Sequence, residues 1–129
     1  MTEREVVDIV REHFESLFPK TCNNCGRKYG TLREYILTTA RLGPARSHDA
    51  DLGEWETAEP LGTQALATCP CGTTLALSTD GMELAQRQAL LGWVKEETGR
   101  RGVSPTDLLE YLRDQLRRQI LAENVPPHP

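Results

Sequence analysis

Four cysteines in two tight pairs constrain this chain more than any other feature. They lie in Cys22-Asn23-Asn24-Cys25-Gly26 and Cys69-Pro70-Cys71-Gly72, and the 129 residues hold no others. Two residues between the first pair let one tight turn aim both sulfurs at a point. A glycine after each pair permits positive φ, so backbone N–H groups can turn toward thiolates and share their charge. The second pair has one intervening residue. Positions i and i+2 of an extended strand face the same side, so Cys69 and Cys71 converge if Pro70 bends the tip. Four such sulfurs suit zinc, which takes tetrahedral thiolate ligands at about 2.3 Å and needs the sulfurs within about 4 Å of each other. Lys20, Arg27 and Lys28 flank the first pair and would offset the excess negative charge.

Other uses of the cysteines fit less well. Two disulfides require an oxidising compartment. The start of the chain, Met1-Thr2-Glu3-Arg4-Glu5, lacks the basic-then-apolar order of a secretion signal. No apolar run approaches the roughly 20 residues of a membrane span. The expectation is a cytoplasmic protein without membrane association. A redox-active pair sits at the start of a helix after a strand, whereas here a helix and Pro19 come first. An iron–sulfur cluster also uses four thiolates and stays open as the alternative cofactor. On ligand rules the four cysteines read as Zn2+ ligands. With two cysteine knuckles that each end in glycine, residues 22–26 and 69–72 resemble the zinc-ribbon proteins. The resemblance implies a structural zinc held between two hairpins, with function carried elsewhere on the surface.

Hydrophobic periodicity places the remaining elements. Thr2 and Glu5 fit a capping box, and Val6, Ile9, Val10, Phe14, Leu17 and Phe18 form one apolar helical face that ends at Pro19. His13 falls beside that face as a boundary residue. Thr31 and Glu34 suggest a second capping box, with an apolar stripe through Leu32, Tyr35, Ile36, Ala40 and Leu42 stopped by Gly43-Pro44. Residues 43–62 show no period and read as an acidic loop. Short Thr-containing runs on either side of Cys69 and Cys71 read as a β-hairpin with the cysteines at its tip. A helix over 82–98 follows, with Gly99 past its end. The last helix, over 104–123, starts with Ser104 as N-cap and Pro105 at its first position. The predicted fold is α+β: about four helices packed on a small hairpin, stapled by the four-cysteine zinc site. Residues 1–124 form one domain and 125–129 a loose tail.

Charge and the remaining motifs narrow the function. The net charge is −4, and Asp49, Asp51, Glu54, Glu56 and Glu59 crowd into residues 43–61 against Arg46 alone. Such a balance disfavours nucleic-acid binding by bulk charge. A DNA-binding regulator would use the helices at 82–98 and 104–123, with Arg113, Arg117 and Arg118 toward DNA, but Asp107, Glu110 and Asp114 share that helix. His48 and Asp49 are the first suspects for any small-molecule site, but a solvated acidic loop is the favoured account of them. No phosphate loop, nucleophile motif or metalloenzyme motif is present, so the sequence gives no support for an enzyme. The preferred reading is an intracellular regulatory module that binds another protein, with zinc structural. Its partner surfaces are Trp55 in the acidic loop, for which tucking back onto the domain is the equal alternative, and the leucine stripe Leu109, Leu112 and Leu116, which also suits a homodimer contact or an ordinary helical hairpin. A redox or iron–sulfur sensor using the same cysteines is the further alternative.

Overall fold

Three helices begin at hydroxyl caps that the sequence announces. Thr2 Oγ1 accepts from the Glu5 N–H at 3.2 Å, Thr31 Oγ1 from Glu34 at 3.1 Å, and Ser104 Oγ from Asp107 at 3.1 Å. Each bond satisfies a first-turn donor that has no partner inside the helix. These caps open α1 (Glu3–Ser16), α2 (Leu32–Thr38) and α5 (Pro105–Ala122) in the computed structural model, which describes residues 1–123. The tail over 125–129 lies outside the described residues. A one-turn helix, α3 (His48–Asp51), and α4 (Leu84–Arg101) complete the five helices among them. α4 runs past Gly99 and is capped at Gly102, because Arg100 and Arg101 pair with Glu97 one turn back and carry the helix on.

The strands form two antiparallel units. A short ribbon joins β1 (Lys20–Thr21) to β2 (Lys28–Tyr29), and a three-stranded sheet has the order β3 (Ala40–Ser47), β4 (Thr63–Thr68), β5 (Thr74–Ser78). The class is therefore α+β, with the expected hairpin, β4–β5, extended by one strand. That strand corrects the reading of α2 as continuing to Leu42. The Thr38 and Thr39 hydroxyls donate to the Glu34 and Tyr35 carbonyls, and Thr39 is already extended. Nor do residues 43–62 form one loop, since β3 and α3 occupy their first part.

Gly43 and Pro44 do not stop a helix; they make an irregularity in an edge strand. Leu42 pairs with Leu66, but the next partner of β4, Gln64, meets Arg46. Gly43 takes φ +66°, and Pro44 has no N–H to withhold from a ladder, which an edge strand tolerates. The freed groups are met from α5. Arg113 donates from Nη1 to the Gly43 carbonyl at 3.0 Å and from Nη2 to the Leu66 carbonyl at 3.1 Å. Glu110 accepts the Ala45 N–H. Arg41 reaches back to Glu110 and Asp114 at 3.2 and 2.8 Å. α5 thus lies over the sheet, and Leu108, Leu109, Leu116 and Ile120 are buried beneath it.

Those bonds locate a stability effect. Arg113→Met removes both donors, one of them from the partly buried Leu66 carbonyl, and should cost about 1–3 kcal/mol in urea unfolding. Arg118→Ala, at an exposed site on the same helix, should stay within about 0.5 kcal/mol.

Candidate metal centre

Each cysteine pair is held by a tight turn closed through its own backbone. In the first, at the tip of the β1–β2 ribbon, Cys22 N–H donates to the Arg27 carbonyl and Gly26 N–H to the Cys22 carbonyl, both at 2.9 Å. In the second, between β4 and β5, Cys69 N–H donates to Thr73 O at 2.9 Å and Gly72 N–H to Cys69 O at 2.8 Å. Gly26 and Gly72 take φ of +77° and +93°, which an L side chain adopts only under strain. The two turns thus match in plan although the second is one residue shorter.

The turns bring all four sulfurs together. Every pair of Sγ atoms lies within 4.8 Å, with Cys22–Cys71 at 3.7 Å and Cys25–Cys69 at 3.8 Å. A tetrahedron of metal–sulfur bonds near 2.3 Å has sulfur–sulfur edges of about 3.8 Å. A disulfide needs about 2.05 Å, and all four cysteines are free. The cluster can hold a metal ion. Cys22 and Cys69 are buried, whereas Cys25 and Cys71 reach the surface, so an ion has a path in.

Neighbouring groups favour charge on some sulfurs. The Thr73 hydroxyl, 3.3 Å away, and the Asn24 side-chain amide, at 3.5 Å, pull the Cys71 thiol down to about 5. The Cys22 thiol is lowered by the backbone N–H groups of Cys25 and Asn24. At Cys25 the Arg27 N–H acts downward, but desolvation and the crowding sulfurs of Cys71, Cys69 and Cys22 push the thiol up to about 11. Without a cation, four adjacent sulfurs divide into those that ionise and those that keep a proton. Tyr29 is completely buried and donates its hydroxyl to Cys69 Sγ at 3.0 Å, and burial holds that phenol well above its ordinary range. Arg27 lies over the Tyr29 ring at 5.4 Å, bringing positive charge near the sulfurs.

Of the other residues singled out by sequence, Asp49 is buried and accepts the Leu61 and Gly62 N–H groups, both at 3.0 Å. It is a latch for the loop, while His48 beside it is exposed. His13 Nε2 meets the Ser78 carbonyl at 3.0 Å. Trp55 packs half-buried against the cluster of Val6, Ala45, Trp93, Val94, Leu108 and Leu109. The leucine stripe expected to face a partner turns inward: Leu109 and Leu116 are buried and Leu112 is half-buried among them. Its apolar area is taken up by the core of this chain. Arg113 likewise faces the sheet, leaving only Arg117 and Arg118 of the expected DNA-facing arginines exposed.

Asn24, Tyr29 and Thr73 are site residues that sequence reasoning missed. A polar residue inside or just after each knuckle was the available signal for Asn24 and Thr73. Nothing in the spacing points to Tyr29. Comparison of the chain with family models, with curated proteins and with solved structures gives no match. No helix among the described residues is long and apolar enough to cross a membrane.

The hydroxyl of Tyr29 and the lowered Cys71 each have a measurable consequence. Tyr29→Phe keeps the ring in its place and should weaken metal affinity by about tenfold in a chelator competition. In metal-free protein at about pH 6.5, iodoacetamide should modify Cys71 well before Cys25, because only a thiol titrating below that pH is largely thiolate. Equal alkylation rates by mass spectrometry would contradict the assigned electrostatics.

Proposed function

We propose that the chain is a zinc protein in which Cys22, Cys25, Cys69 and Cys71 hold one structural Zn2+, in the manner of a zinc ribbon, and that it acts as a protein-binding regulatory module. One observation carries the metal assignment: four free sulfurs converge within 4.8 Å of one another, and two of their separations, 3.7 and 3.8 Å, equal the edge of a tetrahedral thiolate site. Four cysteine ligands leave no open position for a substrate, which is the arrangement of structural rather than catalytic zinc. Binding can contribute on the order of 10 kcal/mol to folding, comparable with the whole stability of a small domain.

The interaction role rests on the acidic loop. Leu52 and Leu61 are 70% and 60% exposed there, among the carboxylates of Glu54, Glu56 and Glu59. Exposed apolar groups that share a segment with several carboxylates suit a partner that offers an apolar patch beside basic groups.

Elemental analysis and an absorption spectrum of protein purified without oxygen test the metal. The expected result is one zinc per chain, no visible colour, and loss of cooperative unfolding after chelation. Iron with visible absorption would replace zinc by a cluster and favour the sensor reading. The loop has its own test. Replacing Leu52 and Leu61 together by Ser should leave the melting temperature nearly unchanged, because both side chains are exposed, yet abolish binding to the partner recovered by crosslinking in the native cell. Retained binding would remove the loop as the contact.

A further inference from the structure

Two cavities lie between the helices and the three-stranded sheet, and they differ in how their polar groups are satisfied. In the first, of about 90 Å³, Asp49, Ser47 and Thr79 line the wall, but each already accepts a backbone N–H. Nothing there asks for a ligand. The second, of about 70 Å³, is walled by Leu32, Ile36, Leu66, Leu77 and Leu116, together with Tyr35 and the guanidinium-bearing Arg41, Arg113 and Arg117.

Tyr35 is the unusual member. It is only 4% exposed, its ring stacks edge-on with Tyr29 and Phe18, and its buried hydroxyl has no hydrogen-bond partner in the protein. A buried O–H left unpaired is costly, and native structures rarely keep one without a bound molecule to meet it. The charges around the cavity are also unequal. Glu110 and Asp114 hold Arg41 at 3.2 and 2.8 Å, and Glu110 lies 3.5 Å from Arg113. Three cations therefore face two carboxylates, and among the described residues no hydrogen bond or ion pair engages Arg117. Burial and the neighbouring Arg41 disfavour the charge on Arg113, Glu110 offsets them only in part, and the Arg113 donors are shared with the Gly43 and Leu66 carbonyls.

We propose that this cavity is a binding site for a small organic carboxylate, its apolar body among the leucines and its oxygens facing Tyr35 and the arginines. An anion supplies the acceptor that the Tyr35 hydroxyl lacks and balances the excess positive charge. The apolar wall selects against hydrated inorganic anions, and the small cavity suits a short aliphatic body.

The probe is 3-methylbutanoate, titrated into the metal-loaded protein and followed by amide NMR shifts. Saturable shifts confined to residues around Tyr35, Ile36 and Leu66 are expected. The neutral isostere 3-methylbutan-1-ol should bind at least tenfold more weakly. Tyr35→Phe removes only an unpartnered oxygen, so the fold should persist while affinity falls by about tenfold. Arg117→Gln, at an exposed position, should weaken binding about threefold. Three results would each overturn the site: no saturable shift up to about 50 mM, equal binding of the alcohol, or undiminished binding to both variants. The last would mean that ordered water alone meets the tyrosine hydroxyl.

Discussion

Two residues per strand cannot hold a ribbon in water, and the β1–β2 ribbon has no more than that. What fixes it is the meeting of its sulfurs with those of the β4–β5 turn, together with Tyr29, which reaches from the ribbon into the core and bonds Cys69 across the gap. The same ring contacts Tyr35 on α2. Site and core are therefore continuous. Four sulfurs within 4.8 Å of one another repel when ionised, so a cation held there would turn that repulsion into a crosslink between residues more than forty positions apart.

A second interaction ties the helices to the sheet. Arg113 and Glu110 on α5 serve the backbone groups that Gly43 and Pro44 take out of the ladder, while Arg41 on β3 pairs with Glu110 and Asp114. A strand with an irregular register would ordinarily leave buried polar groups unmet. Here a helix side chain supplies the donors. The same arginine borders both cavities, so the device that repairs the strand also shapes the space beneath it.

Much of this was legible from local signals. The capping hydroxyls of Thr2, Thr31 and Ser104 act within a few residues, so reading them requires no knowledge of the fold. The knuckles are equally local, and glycine after each pair marks a turn that only glycine makes easily. The hairpin around Cys69 followed from its Thr-rich flanks. β3 was hidden because its first half is exposed and its irregularity erases the period of two, so Gly43-Pro44 mimicked a helix stop. The leucines of α5 illustrate the other limit. Helical spacing shows that Leu109, Leu112 and Leu116 share a face, but the same stripe serves a core or a partner equally well.

The sequence by itself determined the helix starts, the turn geometry of both cysteine pairs and the residue types that suit a soft cation, because each depends on neighbours within a few positions. Only the tertiary structure decided that the two pairs meet, that Tyr29 donates to a sulfur, that Arg113 turns into the sheet, and that Tyr35 is left without an acceptor. Those facts depend on contacts between residues far apart in the chain, and local periodicity carries no record of which face meets which.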